Sequence, residues 1–145
     1  MIVKLQSTGR ELLHPTTVLL IEDEPGLLEI LALHLRVAGY QVETAQDGLE
    51  AWRCFEATPP DVVVLDLGLP TISGFRLLEL IRDSVVSPPV IVITCLDFEE
   101  AEEVANHGVV DGFMTKPFEP KALIHQVEYV LARRRLASRA ANEVP

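Results

Sequence analysis

Five short apolar runs set the rhythm of the chain. Thr17 to Ile21 is apolar after its first residue and ends in Glu22-Asp23-Glu24. Tyr40 to Ala45 alternates apolar and polar positions. Asp61-Val-Val-Val-Leu-Asp66 carries four apolar residues, three of them β-branched, into a carboxylate, and Gly68 and Pro70 then stop it. Val90-Ile-Val-Ile-Thr94 ends in a hydroxyl, and Val109 to Thr115 ends before Lys116. Continuous apolar runs of this length predict strands buried on both faces, as in a parallel sheet covered by helices.

Helical periodicity fills the gaps between the runs. Pro25 suits a first helical turn, and Leu27, Leu28, Ile30, Leu31, Leu33, Leu35 and Val37 carry a helix that Gly39 stops. Asp47 caps the next, with Glu50 completing a capping-box-like pair and Leu49, Ala51, Trp52 and Phe55 as its buried side. Thr71 or Ser73 caps a third, running to about Arg82. An acidic helix with a thin apolar stripe is expected from Glu99 to Asn106. A last one starts at Glu119 or Pro120, runs into Arg133-Arg-Arg135 and fades in a polar tail. Strand and helix alternate five times, which predicts a parallel α/β sheet with five helices on both faces and right-handed crossovers.

Composition narrows the possibilities. A chain of 145 residues, 48% hydrophobic and 23% charged, suggests one domain with a real core. The net charge of −10 argues against direct nucleic-acid binding by this domain and suits a cation site or a basic partner. Cys54 and Cys95 form neither a disulfide framework nor a metal pattern, which reads as a reducing cytoplasm. No apolar run is long enough for a membrane span, and no signal peptide is visible.

The strand ends carry the chemistry. Strand one offers Glu22 and Asp23, strand three Asp66, strand four Thr94 and strand five Lys116. In open α/β sheets ligands bind at the carboxyl ends of strands, so these groups could converge in one pocket. Clustered carboxylates repel unless a cation sits among them, and hard oxygen donors suit Mg²⁺, with Mn²⁺ possible. A carboxylate beside such an ion can be a nucleophile towards a phosphoryl group. A hydroxyl and an ammonium can then hold the remaining oxygens.

Ile21-Glu-Asp-Glu-Pro25, Val64-Leu-Asp-Leu-Gly-Leu-Pro70, Val92-Ile-Thr94 and Phe113-Met-Thr-Lys-Pro-Phe118 resemble the response-regulator receiver domain of two-component signalling. The resemblance spans about residues 17 to 134 and implies a flavodoxin-like fold with strand order 2-1-3-4-5, an order for which the chemotaxis receiver is a standard example. It implies that Asp66 is the phospho-acceptor, Thr94 the switch hydroxyl, Lys116 the lysine that contacts the phosphoryl group and Phe113 the switch aromatic. It also implies that Asp23, Asp66 and the Gly68 carbonyl hold Mg²⁺ with Glu22 nearby, and that Lys116-Pro117 is frequently cis. Gly68, where a larger side chain is frequent, leaves the acceptor more open, and Cys95, where alanine is usual, is expected to leave donor access intact.

By the same resemblance a sensor histidine kinase or phosphotransfer protein supplies the phosphoryl group. The surface of the fourth helix, fifth strand and fifth helix changes to control a partner or fused output domain, a phosphorylation-dependent homodimer through that surface being one expected form. The chain is then not an enzyme beyond phosphoryl acceptance and slow self-dephosphorylation. A pseudo-receiver that only docks partners is the alternative. An aspartyl-nucleophile hydrolase is disfavoured by Gly68 where a second aspartate is wanted, and a flavodoxin by acids where a phosphate cradle is needed. Residues 1–15 read as an extension, 16–134 as the receiver and 135–145 as a tail or the start of a linker.

Overall fold

The computed structural model describes residues 14–95, 99 and 110–143. Five strands, β1 (Thr17–Ile21), β2 (Gln41–Ala45), β3 (Val62–Asp66), β4 (Val90–Thr94) and β5 (Gly112–Thr115), form one sheet in the order β2-β1-β3-β4-β5. All four pairings are parallel. The helices among the described residues are α1 (Pro25–Val37), α2 (Gly48–Ala57), α3 (Gly74–Arg82) and α4 (Pro120–Glu143). The helix expected at Glu99 to Asn106 lies outside the described residues, apart from Glu99 itself.

Alternation along the strands builds two cores. Val18, Leu20, Val62, Val64, Ile91 and Ile93 face one side and pack with Leu28, Leu31 and Leu35 of α1 and Leu123 and Val127 of α4. Leu19, Ile21, Val63, Leu65, Val90 and Val92 face the other and pack with Ala51 and Phe55 of α2 and Leu77 and Ile81 of α3. Every residue of β3 and β4 is buried, which is why their sequences are apolar without alternation.

Local signals work as the sequence predicts at most helix ends. Pro25 occupies the first turn of α1, and Gly39 takes a positive φ of 103° just past its end. Asp47 accepts from the Glu50 amide at 2.8 Å, while the Glu50 carboxylate accepts from Gln46 at 3.2 Å, one residue earlier than a strict capping box. Ser73, rather than Thr71, caps α3 by accepting from Arg76.

Some expectations need correction. Leu49 is exposed rather than on the buried side of α2, because that short helix turns only Gly48, Ala51 and Phe55 fully inward. β5 begins at Gly112, since Asp111 is used instead to bind the start of β4: its amide donates to the Val90 carbonyl and its carboxylate accepts from the Val90 amide, both at 2.9 Å. The last helix does not fade near Arg135. It continues to Glu143 with every residue beyond Leu131 exposed. Leu, Ala, Arg and Glu are strong helix formers, and no Gly or Pro interrupts them before Pro145, so propensity carries the helix past the core.

Candidate functional site

Register gathers the predicted groups. Ile21 lies beside Leu65, Asp66 beside Ile93, and Thr94 beside Thr115, so β1, β3, β4 and β5 end at nearly one level. The Lys116 amide continues the ladder by donating to the Thr94 carbonyl at 2.9 Å. The Glu22 amide does the same to the Ala45 carbonyl at 3.0 Å. The residues that follow β1 and β5 are therefore delivered to the same edge as Asp66 and Thr94, the last residues of β3 and β4.

Lys116 is the hub. Its Nζ donates to Glu22 Oε1 at 2.5 Å and to Asp66 Oδ2 at 2.8 Å. The other carboxylate oxygen, Asp66 Oδ1, accepts from the Gly68 amide at 2.9 Å. Both Asp66 oxygens are thus held, and the carboxylate orientation is fixed before any ligand arrives. Glu22 is fully buried and its Oε2 has no hydrogen-bond partner among the described residues. Asp66 and Thr94 are also buried, at 4% and 2% exposure, while Asp23 is exposed. Phe113 is half-buried against the core on the α2 and α3 side, and the Lys116-Pro117 bond is cis.

Electrostatics separates the two buried acids. Burial, reinforced by the neighbouring Asp66, pushes the Glu22 carboxyl up to about 8 against the pull of Lys116. Burial also acts to raise Asp66, but hydrogen bonds from Glu22, Lys116 and the Gly68 amide outweigh it and hold Asp66 below the usual carboxylate range. Burial alone would lower Lys116, yet its two carboxylate partners raise it above the ordinary lysine value. The two buried carboxyls are thus displaced in opposite directions, Glu22 upward and Asp66 downward.

The donor set fits a hard divalent cation. Glu22, Asp23 and Asp66 each offer an oxygen, and these oxygens lie within 4.8 Å of one another. Glu22 Oε2 is a buried polar atom still lacking a partner among the described residues, so it costs stability unless a cation or water satisfies it. All donors are oxygens, the chemistry that suits Mg²⁺ or Mn²⁺ over zinc. The exposed carboxylate of Asp23 keeps one side open to water.

Sequence reasoning placed Glu22, Asp23, Asp66, Gly68, Thr94 and Lys116 at one edge, and the structure brings Glu22, Asp66, Gly68 and Lys116 into direct contact there. It did not see that Glu22 binds Lys116 directly, because those residues are 94 positions apart. It also missed Asp47 and Thr71 as a bonded pair beside the loop that follows Asp66: the Thr71 hydroxyl donates to Asp47 Oδ1 at 3.3 Å. A threonine with φ 69° runs against its own preferences, so no local signal announced it.

The family model of the response regulator receiver domain matches residues 18–128. The transcriptional regulatory protein TrcR of Mycobacterium tuberculosis is 36% identical over 129 residues, 89% of this chain and 50% of that protein. KdpE of the same species, also a transcriptional regulatory protein, is 42% identical over 103 residues, covering 71% of this chain and 45% of its own length. The chain spans about half the length of these curated relatives. Among solved structures, the receiver domain of a Francisella response regulator superposes with a TM-score of 0.76 at 30% identity, covering 83% of this chain and 99% of that one. An oriented aspartate, its lysine and an acidic cation pocket at the carboxyl edge of a 2-1-3-4-5 sheet, together with these matches, identify the chain as a member of the response-regulator receiver-domain family.

Proposed function

We propose that the chain is a phosphorylation-dependent switch in which Asp66 accepts a phosphoryl group from a sensor histidine kinase or phosphotransfer protein. The observation that carries this reading is the Lys116 bridge, which joins Glu22 Oε1 to Asp66 Oδ2 while the Gly68 amide holds Asp66 Oδ1. An Asp66 oxygen attacks phosphorus as the bond from phosphorus to the donor nitrogen breaks. The departing imidazole keeps that electron pair and, carrying a proton on its other ring nitrogen, leaves as neutral histidine. Mg²⁺, or Mn²⁺ in its place, would be held by Asp23, Asp66 and the Gly68 carbonyl with Glu22 nearby, and supplies positive charge against the phosphoryl oxygens. Lys116 then shifts its hydrogen bond from the carboxylate to a phosphoryl oxygen, and Thr94 offers its hydroxyl to another. Phe113 repacks as Thr94 moves. The surface of β5, α4 and the segment between β4 and β5 changes population and reports the state to a partner, a second copy or a fused output portion.

The reaction is stoichiometric. Turnover is limited to slow attack of water on the acyl phosphate, since the residue two after Asp66 is Gly68 and offers no acid. The relatives are transcriptional regulatory proteins, so transcription is the proposed output. Contact with nucleic acid is assigned to a portion other than this acidic domain. No described helix is long and apolar enough to cross a membrane, and the proposed site of action is the cytoplasm.

Incubation with Mg²⁺ and acetyl phosphate, with beryllofluoride in parallel, tests this. Intact mass is expected to rise by one phosphate in the wild type and not in Asp66→Asn. A folded wild type that neither gains mass nor responds to beryllofluoride would instead be a pseudo-receiver, a docking module without chemistry.

A further inference from the structure

The loop after Asp66 is closed on itself and stapled to α2. At its ends, a Cβ on Gly74 would lie 2.4 Å from the Leu67 Cα, so the start of α3 presses directly on the loop's first residue. At its middle, the Gly48 amide donates to the Pro70 carbonyl at 3.1 Å and the Leu49 amide donates to the Thr71 hydroxyl at 3.1 Å. That hydroxyl in turn donates to Asp47 Oδ1 at 3.3 Å. A Cβ on Gly48 would sit 2.1 Å from the Ile72 carbonyl oxygen, so loop and helix meet backbone to backbone.

Thr71 is the odd member. It adopts φ 69°, the left-handed region that a β-branched residue avoids and that glycine enters freely. Glycine would satisfy the backbone there but could not make either side-chain bond. A threonine held in this conformation makes sense if its hydroxyl is what the position needs. Three residues upstream, Gly68 gives its amide to Asp66 Oδ1.

We propose that Thr71 is a positioning residue for the acceptor loop. Its hydroxyl ties residues 67–70 to the first turn of α2 through Asp47 and Leu49, and so sets where Gly68 presents its amide to Asp66. This rests on the reading of Asp66 as the phosphoryl acceptor. Removing the tether frees the loop, so the Gly68 amide no longer holds Asp66 in one orientation, and the entropy of re-ordering it falls on the labelling step.

The test compares Thr71→Gly, which relieves the backbone and removes the hydroxyl, with Thr71→Ser, which keeps it. Hydrogen exchange at Gly68 and Leu69 in metal-free protein is read beside the rate of Asp66 labelling by acetyl phosphate and the melting temperature. Thr71→Gly is expected to melt at or above the wild-type temperature, exchange faster at those amides and label about three- to tenfold more slowly, the factor that corresponds to one lost hydrogen bond. Thr71→Ser is expected to restore both readouts. Asp47→Asn, which keeps an oxygen for the Thr71 hydroxyl and for the α2 cap, is expected to behave as wild type. Wild-type exchange and labelling in Thr71→Gly would overturn the proposal, as would a slow Thr71→Ser. Failure of the acceptor reading shows differently, as a wild type that is not labelled at all.

Discussion

Three side chains, Glu22, Asp66 and Lys116, share the charge of the site, and their pH dependence separates them. Glu22 binds its proton more tightly folded than unfolded, so its contribution to stability is full below about pH 4.5 and is lost as pH rises through about 8. Asp66 is shifted downward, so its contribution is present above its ordinary value of 3.8 and is lost only in more acid solution. Lys116 is shifted upward, and its contribution persists up to its ordinary value of 10.5. Between pH 5 and 8 Glu22 alone of the three changes the balance. In metal-free buffer the melting temperature of wild type is expected to fall across that window, and Glu22→Gln to flatten the fall; parallel slopes in the two proteins would contradict the assignment. Because a cation site needs ionised ligands, Mg²⁺ affinity measured by calorimetry is expected to tighten from pH 6 to 8 in wild type. Lys116→Met removes a charge-assisted partner from Asp66. At about 1.5–3 kcal/mol for such a bond, acetyl phosphate labelling is expected to slow by roughly ten- to a hundredfold.

At the scale of elements, the sheet positions the chemistry and the helices hold the sheet. Strands β1, β3 and β4 contribute residues alternately to two cores, so one register shift would exchange the faces and misplace Asp66 by a residue. The close approach of α3 to the end of β3 is another such constraint. Gly74→Ala puts a methyl 2.4 Å from the Leu67 backbone, which cannot rotate away. Overpacking of this kind costs about 1–3 kcal/mol, and the upper end is expected here by urea denaturation, with an unchanged slope. α4 is the opposite case. Its inner half buries Leu123, Val127 and Val130, while its outer half touches the domain through few groups, among them Arg134, which donates to the Ser87 carbonyl. Arg134→Ala is expected to cost about 1 kcal/mol or less and to speed exchange around Ser87, leaving Asp66 labelling unchanged.

For the whole molecule, the site and the proposed output surface share one strand end. Lys116 follows β5 and precedes α4, so a change in what Lys116 binds acts on the elements proposed to report the state. A second copy is one reader of that surface. Beryllofluoride is expected to raise the apparent mass in sedimentation at micromolar protein, and Asp66→Asn to abolish the rise. A protein that binds beryllofluoride yet stays monomeric would leave the output to a different partner and remove the homodimer from the proposal.

The sequence by itself determined the five strands, the parallel sheet and which residues stand at its edge, because those depend on local facts: apolar runs of strand length, turn residues that end them, and the residue type at the end of each run. It determined the start of α1 and the cap of α2 for the same reason, since Pro25 and Asp47 act within a few residues. The length of α4 was also written locally, in residues 136–143, but with no apolar stripe it gave no packing signal to read. Only the tertiary structure decided that Glu22 would be buried against Lys116 with its carboxyl pushed upward, because desolvation and a partner 94 residues away exist only once the sheet is assembled. Only the tertiary structure placed Thr71 in a left-handed conformation. Its partners come from another helix, and their hydrogen bonds outweigh a preference that the isolated chain would follow.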